Sequence, residues 1–385
     1  MRREQNGATQ PFKTQPVFNN WNVVNEGWYL LGKSSEVKPG KIVPYELCGQ
    51  RVVVFRGEDG QLRGLDAFCP HMGTDLAIGK VIGNDIRCFF HHWTFNGDGE
   101  CTDIPCGAAV PKKAKLQGYD VRERYGLIWI WPGAEAAHGV PAYPELEDEE
   151  VYAICGRSYI RNCHPTVNMI NGLDAQHLKT VHNISIDMEL QTEETSGGRV
   201  IDFQMSGPLP SENVAHRLMG KVMGDTYAYS MRYVDATIGL LRTMEKVKLF
   251  GKFDAEPTRM IFAYTPLKKG HTRVQPIFIA RRPKSLLGRI KSYSLLLAMV
   301  FGFLWLRDED GKVYDNIRFQ PNALLKMDQG VARFIQYVNR LKLSPWSTTQ
   351  RYSGPTRGLV SLPSPSTSGS EVPVKEESGA CEDVG

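Results

Sequence analysis

Between Cys69 and Trp93 the chain reads CPHMGTDLAIGKVIGNDIRCFFHHW, a Cys-x-His pair followed after sixteen residues by a Cys-x-x-His pair. Two thiolates and two imidazoles on separate segments hold one metal group only if a rigid frame brings two loops together. Gly73 follows the first pair and Asn96-Gly97 the second, so turn residues are available for both loops. The flanks supply the frame. WYLLGK, KIVPYEL and RVVVFRGEDG before the motif, and YDVRERYGLIWIW after it, are β-branched or aromatic runs bounded by turns. Such runs read as short antiparallel strands. This first region is therefore expected to be a small β domain carrying its ligands on two loops.

A Cys₂His₂ set suits tetrahedral zinc. The Cys-x-His spacing is tighter than zinc sites usually show. Glycine-punctuated loops suit a [2Fe–2S] cluster in which two cysteines hold one iron and two histidines the other. Neutral imidazoles in place of two thiolates remove negative charge and raise the cluster potential. With its flanks, CPHMG, CFFHHW, NGDGEC and the following Ile-Pro resemble the Rieske domain of ring-hydroxylating oxygenases. The resemblance implies Cys69, His71, Cys88 and His91 as cluster ligands. His92 stands where that pattern has glycine. Cys101 and Cys106 lie beyond the ligand loops and read as packing residues, and no loop disulfide is expected.

The chain has 385 residues, 42% of them hydrophobic and 23% charged, enough for two cores. The acidic, proline-rich PAYPELEDEE from Pro141 reads as a connector. Beyond it VYAICGRSYIRN, RVIDFQM, TYAYSMRYV, TRMIFAYTPL and TRVQPIFIA read as strands, and 168–182 and 331–343 as helices. The expected class is α+β: an all-β domain over 21–138, then a catalytic domain over 139–345 with an antiparallel sheet flanked by helices. Residues 1–20 read as a flexible start. Residues 346–385, rich in Ser, Pro, Thr, Gly and Glu, read as a disordered tail.

The second chemical signal is NMINGLDAQHLKTVHNIS, with Asn171, Asp174, His177 and His182. Asp174 and His177 share a helical face. His177 and His182 are five apart and meet one ion only where the helix ends or bulges. Two histidines and a carboxylate form the facial triad of non-haem Fe(II) sites. After the first motif, this spacing resembles the mononuclear iron site of the Rieske oxygenases, although Ile170 stands where members often have Glu. The resemblance implies His177, His182 and a later aspartate as ligands, with that aspartate opening a helix. Of Asp308, Glu309, Asp310 and Asp315, Asp310 fits best, with Val313 and Asn316 after it, and Asp308 is second. An acidic run at a helix start would also be stable without any metal. DAQH together with FHHW resembles the aminopyrrolnitrin-oxygenase-like members.

The resemblance implies a Rieske monooxygenase or dioxygenase of the EC 1.14 type, with a [2Fe–2S] cluster and mononuclear Fe(II). It also implies a homotrimer in which Asp174 bridges His91 of the partner subunit to His177, and Asn171 orients water or substrate near the iron. No Gly-rich dinucleotide fingerprint follows a strand, so electrons are expected from a separate NAD(P)H-dependent reductase, with or without a ferredoxin. The expected substrate is a small apolar aromatic or polycyclic molecule, hydroxylated, N-oxygenated or demethylated. Tyr227, Tyr229, Met231 and Phe262 are pocket candidates, though strand residues of these types also serve as core. A Rieske electron-transfer protein without catalytic iron, and a zinc-stabilised module, are the competing readings.

A net charge of +4 with scattered basic residues gives no nucleic-acid footprint. Eight cysteines form no disulfide framework, and MRREQNGATQPFKTQ has no apolar core, so a cytoplasmic protein is expected. Residues 293–306, YSLLLAMVFGFLWL, follow the basic RRPKSLLGRIK. This apolar run is shorter than the roughly 20 residues of a membrane span. It reads as a buried helix, with peripheral membrane contact as the other reading.

Overall fold

A computed structural model of the chain describes residues 16–348, apart from 148, 183–185, 187, 209–225, 246–247, 250–252 and 255. Most of the expected flexible start and of the expected tail, with Cys381, lies outside the described residues.

Eleven short strands come first: β1 (Tyr29–Lys33), β2 (Ile42–Leu47), β3 (Gln50–Arg56), β4 (Leu62–Asp66), β5 (Lys80–Ile82), β6 (Asp85–Arg87), β7 (Thr94–Phe95), β8 (Cys101–Asp103), β9 (Gly118–Tyr119), β10 (Val121–Arg124) and β11 (Leu127–Ile130). They form three antiparallel sheets, ordered β1-β11-β10, β2-β3-β4-β9 and β5-β6-β7-β8. The spine is β3, whose Val52, Val53, Val54 and Phe55 are all fully buried. Alternate side chains leave a strand on opposite faces, and here each face meets a core. Val52 and Val54 pack with Tyr29, Leu31, Ile128 and Ile130. Val53 and Phe55 pack with Leu65, Leu76, Ile86 and Phe95, a core that also contains Cys69 and Cys88. The loop cysteines are thus fixed by the same packing that fixes the sheet.

The rest comprises β12 (Val151–Cys155), β13 (Tyr159–Arg161), α1 (Pro165–Met169), α2 (Gln176–Thr180), β14 (Glu189–Thr195), β15 (Val200–Pro208), β16 (Thr226–Val234), β17 (Ile238–Glu245), the short pair β18 (Lys248–Leu249) and β19 (Phe253–Asp254), β20 (Thr258–Lys268), β21 (His271–Arg281), α3 (Leu286–Tyr314) and α4 (Gln329–Arg340). The large sheet runs β12-β21-β20-β17-β16-β15-β14, with β13 also on β21. One face packs Phe203, Tyr233 and Phe262 against Met169, Leu296 and Phe334 of the helices. The other packs Ile238, Ile261 and Ile277 against Trp28, Trp129 and Trp131 of the first region. A buried apolar side chain stabilises by about 2 kcal/mol, so this shared core makes a fixed junction, and the chain to Thr348 is one compact unit.

Several expectations change. The helix expected over 168–182 is broken into α1, a 3-10 turn at Ile170–Gly172, and α2. The hydroxyl of Tyr233 donates to the Met169 carbonyl, diverting it from the helical ladder. Gly172 faces the same sheet, where a Cβ would lie 2.4 Å from Met231 Cε. β14 and β17 were not among the strands expected. ELQTEET of β14 has no apolar alternation, yet it pairs in register with β15 as the sheet's edge. The run 293–306 is not a buried helix. It lies within the 29-residue α3, of which Leu296 and Met299 reach the core while Phe301 stays 71% exposed. α3 is long and apolar enough to cross a membrane by length and composition. Cys101, half-buried, packs against the core that contains Cys69 and Cys88, as expected, whereas Cys106 is exposed and is no packing residue. The helix expected over 331–343 is α4, and it buries Val331, Phe334 and Val338.

Candidate metal centres

The first ligand set is built from two loops closed by backbone hydrogen bonds. Gly73 N donates to Cys69 O at 2.8 Å and Cys69 N to Thr74 O at 2.9 Å, and Cys88 N donates to Trp93 O at 2.8 Å. Gly73 has φ +78°, a conformation glycine adopts without steric cost. His92 has φ +57°, so the expected glycine has a backbone reason, and His92 meets it at a cost while its side chain is exposed.

Cys69 and Cys88 are buried, whereas His71 and His91 are exposed. The two rings lie 4.6 Å apart by centroid, and His71 stacks on Trp93 at 4.3 Å and 7°. Burial, then the neighbouring Cys88, pushes the Cys69 thiol up to about 11 against a partial lowering by a backbone hydrogen bond from His71. Thiolates persist there only with cationic charge beside them. Interior thiols and surface imidazoles fit a two-iron cluster with one iron inside and one at the surface.

The second set comes from α2 and α3. Ligand atoms of His177, His182 and Asp310 lie within 4.8 Å of one another, the one such group among the described residues. Asp310 Oδ1 is 2.9 Å from His182 Nε2 and 4.0 Å from His177 Nε2. The five-residue histidine spacing works because α2 ends at Thr180, so His182 lies past its end. Each histidine is held through its other nitrogen. His177 Nδ1 is 2.5 Å from the Asp174 carbonyl, and His182 Nδ1 is 2.7 Å from Glu309 Oε2. Such partners set the tautomer and leave Nε2 free for a metal.

Asp310 does not open a helix. It lies in the last turns of α3, which ends at Tyr314, where the helix dipole disfavours carboxylates. The acidic run is therefore no solvated helix start; Glu309 and Asp310 face the two histidines instead. Asp308 pairs with Arg307 and is 71% exposed at its side chain, and Asp315 accepts from Arg161 and the Asn162 amide. The sequence offers Glu309 only as a ligand candidate; the packing of α3 makes it the partner of His182 Nδ1 instead.

Asn171 Nδ2 donates to Asp310 Oδ2 at 2.8 Å, and its buried Oδ1 has no hydrogen-bond partner among the described residues. A buried acceptor left unmatched costs about 1–3 kcal/mol, which a water or ligand group beside Asp310 would recover. Together with two oriented histidines and one carboxylate, this fits a mononuclear Fe(II) ion. Asp174 Oδ1 accepts from the Gln176 amide at 2.9 Å. Asn171, Asp174, His177 and Asp310 line a cavity of about 220 Å³ with Val313, Tyr314, Ile317, Phe319 and Leu324. Burial, then the charges of Asp174 and Asp310, raises the Tyr314 hydroxyl well above its usual range, so it stays protonated. None of Tyr227, Tyr229, Met231 and Phe262 lines this cavity; Tyr229, Met231 and Phe262 are core. The wall instead continues from Asp310 at helical spacing through Val313 and Tyr314, a signal present in the sequence.

Residues 27–115 match the family model of the Rieske [2Fe-2S] domain. Cholesterol 7-desaturase nvd of Bombyx mori is 36% identical over 169 residues, 43% of this chain and 37% of that protein. The 3-ketosteroid-9-alpha-monooxygenase oxygenase component of Rhodococcus rhodochrous is 45% identical over 105 residues, 27% of each chain. The chain thus spans well under half the length of these curated relatives. The crystal structure of dicamba monooxygenase bound to dicamba shares the fold, with a TM-score of 0.60 at 19% identity over 82% of this chain and 96% of that one.

Proposed function

We propose that this chain, which carries a Rieske [2Fe–2S] domain within the fold of a Rieske oxygenase, is the oxygenase component of a Rieske non-haem iron enzyme. The supporting observation is the convergence of His177, His182 and Asp310 on one point, with His177 and Asp310 lining a cavity beside it. When bound, the cluster supplies single electrons and the mononuclear iron activates dioxygen. The chain's residues do the rest. Asp174 and Glu309 fix the two imidazoles, Asn171 fixes Asp310, and the apolar wall from Val313 to Leu324 lines the substrate side.

The substrate is a polycyclic apolar molecule of the sterol or steroid class. The apolar wall favours it, and two relatives are named for cholesterol and a 3-ketosteroid. Those names weigh against the arylamine leaning of DAQH. Electrons come from a separate NAD(P)H-dependent reductase. A homotrimer completes the path: His71 and His91 stand exposed beside Met72, Phe89 and Phe90, an apolar rim suited to a second copy. Asp174, whose carbonyl meets His177 Nδ1 and whose carboxylate accepts from the Gln176 backbone amide, is the receiving residue.

The test is anaerobic purification with iron and acid-labile sulfide analysis, then turnover of a steroid panel with a reconstituted reductase. Iron in excess of sulfide and an oxidised steroid product are expected. His182→Ala should lose only the excess iron. If wild-type iron merely equals the sulfide, and Asp310→Ala changes nothing, the chain is an electron-transfer protein.

A further inference from the structure

α3 joins two environments. Its C-terminal end delivers Glu309 and Asp310 to the metal centre, while the outward face of its first twenty residues is largely exposed and meets the sheet at Tyr293, whose ring lies 6.2 Å from that of Tyr152. At 100° per residue, Leu286, Ile290, Tyr293, Leu297, Phe301 and Leu304 fall in one sector about 80° wide. All six are exposed, Leu286 at 74% and Ile290 at 57%. They form a continuous apolar stripe about 27 Å long. The opposite side is packed: Leu296 and Met299 are buried, and Phe303 lies 5.7 Å from both Phe262 and Phe278.

Basic residues border the stripe and no acid interrupts it. Between Arg281 and Leu306 there are five Lys or Arg and no Asp or Glu. Arg281 and Arg282 pair with Glu149 and Glu150. Lys284, Arg289 and Lys291 make no salt bridge among the described residues. Arg289 and Lys291 lie on either flank of the stripe, and Lys284 lies just before the helix.

We propose that this face of α3 rests on the surface of a bilayer containing anionic phospholipid, stripe in the acyl boundary and Lys284, Arg289 and Lys291 at the headgroups. The pattern is that of an interfacial helix, with an apolar strip flanked by cations. A membrane-spanning role conflicts with the packed side, since the large sheet occupies it. A second copy is a poorer occupant. Across an isologous contact Lys284, Arg289 and Lys291 would meet their own copies, with no acid on the stripe to offset them. The inference is independent of the catalytic reading, because it uses no residue of either metal centre.

The experiment is sedimentation of the full iron-loaded chain with vesicles of phosphatidylcholine alone, or mixed with phosphatidylserine. Three basic groups predict roughly 100-fold stronger partitioning onto the mixed vesicles. The Lys284→Gln, Arg289→Gln, Lys291→Gln triple variant should lose that preference. Ile290→Asp with Phe301→Asp should lose vesicle binding altogether. Both must keep the visible absorption of the cluster and the wild-type iron content, which separates lost docking from lost folding or a lost metal site. Wild type left in the supernatant with both vesicle types overturns the proposal. So does binding that neither variant weakens. A lipid-free assembly that the double aspartate variant dissociates, seen by light scattering, assigns the face to a second copy and overturns it too.

Discussion

The two histidine pairs make opposite use of the same side chain. His71 and His91 face solvent over buried thiols, His71 stacked on Trp93 and His91 against Phe90, on loops tied to β3. His177 and His182 turn inward and are held by oxygen atoms, the Asp174 carbonyl and the Glu309 carboxylate. A pair meant to exchange electrons with another surface has to be reachable. A pair meant to govern chemistry on a substrate has to be oriented and dry. The position of the charged ligand follows the same division: thiols sink into the first core, while Asp310 caps a lined cavity.

The contrast breaks most visibly if the two centres fail separately. Asp310→Ala is expected to abolish mononuclear iron and turnover while leaving the visible spectrum of the cluster; Cys88→Ser should remove that spectrum. Loss of both centres in either variant would mean they are not separate units. Next in size is Glu309→Ala, expected to weaken Fe(II) or Co(II) binding by roughly 10–100-fold. Glu309→Gln, whose amide oxygen still accepts from His182 Nδ1, should recover part of it in an anaerobic titration. Asp174→Asn keeps both metals and slows single-turnover oxidation of the reduced cluster by roughly 10–100-fold; an unchanged rate removes the bridge. His92→Gly relieves a left-handed residue and should stabilise by about 1 kcal/mol in urea, with cluster potential unchanged.

His138 belongs to neither pair and gives the smallest effect. Burial alone would lower it, but the hydrogen bond and charge of Asp235 outweigh burial and raise it above its ordinary value. A raised value stabilises the fold at low pH, and the benefit fades as pH rises through the folded value. His138→Asn should therefore cost more stability near about pH 5.5 than near about pH 8, by urea unfolding at both.

The same contrast explains what the sequence revealed. All four cluster candidates fall within one short stretch, so spacing and turn residues make a shared metal group legible, and the resemblance names the cluster. The second centre draws on a broken helix and on Asp310, 128 residues after His182. Periodicity showed that His177 and His182 needed a break between them, but not that Tyr233 and Gly172 interrupt the helix earlier. The resemblance puts Asp310 at a helix start, the end that carboxylates also favour without a metal. Only the packing of α3 on the large sheet places it at the other. β14 escaped notice because an edge strand needs no apolar alternation when solvent takes one side.

α3 is also a lever. From Leu286 to Asp310 it measures about 36 Å as a rigid rod. A tilt of about two degrees at its outer end swings the Asp310 carboxylate by about one ångström, well beyond the roughly 0.2 Å tolerance of a metal bond. Whatever steadies the outer half of the rod therefore steadies iron coordination at the inner half.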